Sequence, residues 1–196
     1  MLDFMFDPDL LKPEAIRRLS RREYDKLVDL GMFEDERVEL LRGMLVTMSP
    51  QGAPHATISG WFVHRLARLL DDRDFDVRGH SPYAASDDSE PEPDVSVSRR
   101  VPSLFEHPTQ PLLLIEVAES SVRKDNRIKA PIYAEAGAPE YWIVDISDSE
   151  LVIAVHTEPT PHGYRRVEML RDGDTLRPTK LPGVEIAVHD VPWQRG

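Results

Sequence analysis

Two apolar runs limit what this chain can fold into more than any other feature. PLLLIEV at 111–117 and EYWIVDI at 140–146 are nearly continuous in apolar residues. Runs of this length without polar alternation mark strands covered on both faces. The chain must therefore lay material on both sides of a sheet. The stretch between the runs reads as a helix over about 124–136, closed by Gly137. A 196-residue chain has the size of one domain with a substantial core.

The remaining segments supply the covering layers. Ser20 and Glu23 form a capping-box pattern ahead of Tyr24, Leu27, Val28 and Leu30, so 20–30 reads as a helix ending at Gly31. In RVELLRGMLVTMS the Arg42-Gly43 pair sits centrally, which predicts a hairpin of 36–41 and 44–48. Ile58, Phe62, Leu66 and Leu69 recur at helical spacing beside Trp61, giving a helix over about 54–71. Strands are expected at 74–78, 81–85, 94–98 and 150–156, with outer strands at 164–170 and 184–188. The fold class is α/β (α+β), a sandwich built on a mixed sheet, with residues 1–19 as an arm carrying one short helix and 20–196 as a single domain.

Several function classes drop out. The absence of cysteine excludes disulfide scaffolds, thiolate zinc sites, iron–sulfur clusters and a cysteine nucleophile. No window holds 18 uncharged apolar residues and no secretory signal is visible, so a cytoplasmic protein without a membrane span is expected. A net charge of −11 argues against a general nucleic-acid coat, though not against an enzyme that meets phosphates through a metal. Glycine-rich phosphate loops, GxSxG elbows and HExxH helices are missing.

What remains is a set of carboxylates in costly places. Asp94 follows Pro93 and opens the strand DVSVS; Glu116 lies inside an apolar run. A carboxylate buried there must be paired, hydrogen-bonded or bound to a cation. Two such groups at neighbouring strand ends suit a hard divalent ion, Mg²⁺ or Mn²⁺. The plainer alternatives are a turn residue for Asp94 and a structural ion pair for Glu116. Lys129 shares a helix face with Ile132, Tyr133 and Ala136, with Asp125 one turn earlier. Either its head escapes to water or it points at the carboxylates. Glu39 alternates with Val38 and Leu40, which on its own predicts a solvent-facing strand residue. His55 sits on the buried stripe of its helix, where packing or capping is the simpler role, and Tyr141 and Trp142 read as core aromatics.

Taken together, VELLRGMLVTMSP, His55, PDVSV, LLLIEVAESS, Asp125 with Lys129, and YAEAGAPEYWIVD resemble the Uma-type family of bacterial restriction-endonuclease-like proteins, within the PD-(D/E)xK nuclease superfamily. The resemblance covers about 20–190 and implies a restriction-endonuclease-like fold, a central mixed sheet flanked by helices. It also implies Mg²⁺-dependent or Mn²⁺-dependent hydrolysis of DNA, and a homodimer. By match, Asp94, Glu116 and Glu39 would be metal-binding acids, Lys129 the catalytic lysine, and His55 and Asp125 accessory groups. The superfamily lysine position, two residues after the acid, holds Ala118 here, and Lys129 from the next helix takes its place. The following loop, AESS, carries Glu119 as an extra charge. Arg123, Lys124 and Arg127 would meet the DNA backbone. A protein that keeps the fold without catalysis, acting through interaction or regulation, is the alternative.

Overall fold

The computed structural model describes residues 16–100 and 107–193. The arm expected at 1–19 lies largely outside these, and residues 16–19 form neither helix nor strand. The chain order is α1 (Arg21–Asp29), β1 (Val38–Leu41), β2 (Met44–Thr47), α2 (Ala53–Leu69), β3 (Phe75–Gly79), β4 (Val95–Arg99), β5 (Pro111–Ala118), α3 (Val122–Lys124), a π-helical turn (Asp125–Lys129), α4 (Ala130–Glu135), β6 (Glu140–Asp145), β7 (Val152–Thr160), β8 (Gly163–Leu170), β9 (Thr175–Leu176) and β10 (Ile186–Ala187). Six strands form one mixed sheet in the order β3-β4-β5-β6-β7-β8. Only the central pair β5–β6 is parallel.

The two apolar runs are this central pair. Leu113, Ile115 and Val117 of β5 face one side, where Ile58, Phe62 and Leu66 of α2 and the C-terminal residues Leu181, Val184 and Val188 join them in one core. Leu114 and Ala118 face the other side and pack with Ala130 and Tyr133 of α4 and with Tyr83. Glu116 shares the parity of Leu114 and Ala118, so strand alternation alone turns it toward α4.

The hairpin and α1 form a smaller third layer. Ser20 accepts a hydrogen bond from the Glu23 backbone N–H while the Glu23 carboxylate accepts from the Ser20 N–H, closing the capping box. Arg42 and Gly43 both have positive φ, 53° and 75°, as a two-residue turn between antiparallel strands requires. Gly43 is also pinned from outside. Its carbonyl accepts from Leu19 N–H, its N–H reaches Asp88 O, and a Cβ there would lie 2.5 Å from Arg18 Cβ.

Several elements differ from expectation. Residues 81–85 do not form a strand, because Tyr83 turns inward onto the α4 side of the core and the segment runs on as loop. Of 184–188 only Ile186 and Ala187 are extended, pairing with β9 in a separate two-stranded sheet. That segment caps the α2 side of the core instead of extending the main sheet. Leu69 is the last residue of α2 and is exposed, as is Ile128. The helix expected at 124–136 is interrupted by the π-turn. No helix among the described residues is long and apolar enough to cross a membrane.

The third layer carries a buried charge. Glu90 pairs its backbone with Leu40 and is 4% exposed, with Arg21 at 3.7 Å and His107 at 3.8 Å from its carboxylate. Burial, reinforced by Asp25, raises its pKa from 4.5 to about 7 against the pull of Arg21. The unfolded chain thus ionises first as pH rises. Stability from this group is complete below pH 4.5 and is lost by about pH 7, on the order of 3 kcal/mol at most. Glu90→Gln should therefore melt higher than wild type at pH 8, with the gap closing toward pH 4.5 in paired thermal melts.

Candidate active site

Glu116 meets its partners through a helix of unusual geometry. Pro131 lies one residue beyond the π-turn, has no N–H to donate to Arg127, and its ring would crowd that carbonyl in a regular helix. The chain widens by one residue instead, and Ala130 N–H bonds to Asp125 O five residues back. This wide turn buries both Asp125 and Lys129 while leaving Asn126, Arg127 and Ile128 outside. Lys129 and Tyr133, one turn apart, both donate to Glu116 Oε1, at 2.7 and 2.9 Å.

The hairpin closes the cluster from the opposite side. Glu39 of β1 is 1% exposed, not solvent-facing as its alternation predicts, because the residues on both faces of β1 are buried. Its Oε2 lies 2.9 Å from Lys129 Nζ and its Oε1 accepts from Lys124 Nζ at 3.1 Å. Lys129 is thus held between a strand of the main sheet and a strand of the hairpin.

Asp94, at the mouth of β4, is tied to β5 by Val117 N–H, which donates to Oδ2 at 2.8 Å. His55 Nε2 sits 3.0 Å from the same oxygen, and His80 Nδ1 lies 3.3 Å from Oδ1. Gln51 Nε2 bridges His80 and, at 3.5 Å, Asp94. His80 holds a positive φ of 47°, and its backbone N–H bonds to Asp94 O. A non-glycine residue held in that region is strained and persists only where its surroundings enforce it. Asp125 accepts from Ser121 Oγ at 2.6 Å.

Asp94, Glu116, Asp125, Lys124, Lys129 and His55 line one cavity of about 320 Å³, walled also by residues 47–52 and 119–121. Glu39 is absent from its lining and reaches the cavity only through the two lysines. Five of the six residues expected at a site thus border the cavity. His80, Gln51 and Tyr133 complete the cluster.

Four carboxylates surround two ammonium groups, and their environments divide them. Burial pushes Asp94 up, but the histidine hydrogen bonds and Val117 N–H outweigh it and hold the carboxyl below its ordinary range. Burial raises Glu116 well above the ordinary carboxylate value, opposed by Lys129 and reinforced by Asp94, Asp125 and Glu39. Asp125 is raised by burial against Lys129 and Ser121. In Glu39 burial is overcome by Lys129 and Lys124, so its pKa falls. For Lys129 burial is outweighed by Glu116, Glu39 and Asp125, which keep it charged. The net excess of negative charge is what a bound cation would relieve.

Among the described residues no three acids or histidines form a ready cation cage. The donors present suit a sparser site. Lys129 and Tyr133 both take Glu116 Oε1, and the Asp94 Oδ1 contacts are the long ones at 3.3 and 3.5 Å. If a magnesium-type ion bound here, Asp94 and Glu116 would be the carboxylates to hold it, since such an ion keeps most of its waters and uses one or two carboxylates.

A family model described as "Uma2: Putative restriction endonuclease" matches residues 21–189. The chain belongs to the Uma2 family. A solved structure, titled a putative nuclease belonging to DUF820 from Anabaena variabilis ATCC 29413, superposes with a TM-score of 0.71 at 15% identity, covering 88% of this chain and 97% of that one. At that identity the likeness establishes the shared fold alone, a mixed six-stranded sheet flanked by helices. No curated protein matches the chain. Within this Uma2 member the cluster makes a direct stability prediction. Lys129→Met strands Glu116 as an unpaired buried charge and leaves Glu39 with Lys124 alone, and should cost about 3–5 kcal/mol at pH 8. The deficit should shrink as pH falls and the carboxylates protonate, which chemical denaturation at several pH values will show.

Proposed function

We propose that the cavity is the active site of a metal-dependent endonuclease that hydrolyses phosphodiester bonds of DNA. The observation that carries this reading is the tie of Asp94 to β5 through Val117 N–H, the residue next to Glu116, with Lys129 held on Glu116 at 2.7 Å. Asp94 and Glu116 would hold the ion, Mg²⁺ or Mn²⁺. A divalent cation bound there supplies Lewis acidity toward a phosphoryl oxygen and a lowered pKa for a coordinated water.

The chain's own residues do the rest. Asp94 is kept ionised, and ready to ligate, by His55, His80 and Val117 N–H. Tyr133 fixes the rotamer of Glu116 by holding Oε1. Lys129 has one N–H beyond the two that its carboxylates engage, and this donor would orient the attacking water and offset charge that builds on the phosphoryl group. Glu39 acts as a positioning residue, clamping Lys129 and Lys124. Arg123 and Arg127 are exposed and flank in sequence the cavity residues Lys124 and Asp125, and they would offer contacts to backbone phosphates. The net charge of −11 favours the second reading, a non-catalytic interaction protein on the same fold.

Cleavage of single-stranded, duplex and branched DNA, assayed with Mn²⁺ and with chelator, tests the proposal. Metal-dependent cleavage should fall at least about a hundredfold in Glu116→Gln. That variant should also melt no lower than wild type in chelator at pH 8, because the amide still accepts from Lys129 and Tyr133 while a charge is removed from among Asp94, Asp125 and Glu39. In millimolar Mn²⁺ the order should reverse, since wild type alone gains full binding free energy. Equal cleavage by the variant, or melting curves that ignore Mn²⁺, would overturn the nuclease reading.

A further inference from the structure

The main sheet ends at β8, and its outer edge pairs with no strand among the described residues. This strand runs eight residues without proline, and four consecutive positions, Arg165 to Glu168, are exposed along with Met169. Long open edges are usually shortened, bulged or covered in native proteins, because unpaired backbone groups accept any compatible strand. Here the edge also carries exposed apolar side chains, Val167 at 51% and Met169 at 49%. They continue a buried row, since Val167 pairs with His156 and Met169 with Ala154 of β7.

We propose that β8 is a self-complementary interface on which a second copy of this chain docks, joining two sheets edge to edge. Charge order selects the register. For antiparallel strands related by a two-fold axis normal to the sheet, the axis must pass through a residue. An axis at Arg165 or Arg166 sets two arginines opposite each other, and one at Glu168 sets two glutamates opposite each other. An axis at Val167 sets Arg166 of each copy opposite Glu168 of the other, reciprocally, and uses residues 164–170, nearly the whole strand. The same register places Val167 against its counterpart and lays each Met169 beside the Arg165 stem of the other copy. Opposite charges directly across a strand pair stabilise it and like charges oppose it. Arg166 and Glu168 already meet at 3.0 Å within one strand, so the docked edge would form an alternating four-charge cluster.

Sedimentation of the full chain from roughly 1 to 100 µM should show a dimer. Arg166→Glu and Glu168→Arg should each weaken it about tenfold or more, because each sets like charges opposite each other. Both side chains are more than half exposed, so folding is not at risk, and matching thermal melts will verify it. The decisive arm mixes the two variants. One then carries two glutamates and the other two arginines along this edge, so a heterodimer should form where neither variant pairs with itself. A monomeric wild type over this range, a dimer indifferent to both reversals, or no association on mixing would each overturn the interface. None of these outcomes depends on whether the cavity cleaves DNA.

Discussion

The ammonium of Lys129 is the point on which this molecule turns. It is almost fully buried, and it survives there only because Glu116 and Glu39 stand 2.7 and 2.9 Å away. Each carboxylate belongs to a different layer. Glu116 comes from the central strand of the sheet, Glu39 from the hairpin, and Lys129 from the helix that connects β5 to β6. Removing Lys129 leaves the Glu116 carboxylate as uncompensated charge in a medium that solvates charge poorly, whereas removing either carboxylate still leaves the ammonium one partner. The ion triad therefore works as a three-way joint, and the geometry of the cavity follows from it. Such a joint is a poor source of net stability compared with apolar packing, which makes its presence most economical to explain by what the charges do at the cavity.

The π-turn serves the same joint. An α-helix from 122 through 135 would meet Pro131 in its interior, with a missing donor and a ring pressed on the Arg127 carbonyl. Widening the turn by one residue removes the clash and puts Asp125 and Lys129 on the inner side together. Asn126, displaced outward, bonds to the ring of His156 on β7 and so braces the bulge from the sheet side. A wide turn placed beside a cluster of buried charges fits the general association of π-bulges with working sites.

Much of this is legible in the residues. The two apolar runs identify the central strands, and alternation along β5 by itself sets Glu116 apart from its neighbours. The face shared by Lys129 and Tyr133 points inward as their spacing requires. Where expectation and fold part, the causes are physical. Glu39 follows a rule for strands with one wet face, but β1 is buried on both faces while its hairpin partner β2 takes the solvent. Tyr133 reads by its ring as a core residue, although its position one turn after an inward lysine is a usable signal for its hydroxyl. The π-turn is announced by a proline inside a helical pattern. His80 offers no comparable sign, since a single histidine after a short strand carries no periodicity, and its strained backbone is visible only in three dimensions. The segments 81–85 and 184–188 depart from the strand pattern for a shared reason. Short apolar stretches satisfy that pattern equally well when they cap a core without joining the main sheet.

The charge balance of the chain shows why a total is a weak guide to a site. Residues 87–94 carry five acids and no base, which as a sequence resembles a solvated acidic loop. In the fold these acids are dispersed into separate tasks. Asp88 accepts from Ser86 and Ser89, Glu92 pairs with Arg37, and Glu90 is buried beneath α1 near Arg21. Asp94 alone reaches the cavity, where two imidazoles and a backbone N–H compensate it. The negative charge of this stretch is thus largely balanced locally or kept away from the cavity, where Lys124 and Lys129 stand among Asp94, Glu116, Glu119 and Asp125. Screening over a Debye length of about 10 Å mutes the distant remainder. An anion approaching the cavity would meet Lys124 in its wall well before it felt the protein's average charge, so a net −11 does not fix the sign of the field at this one place.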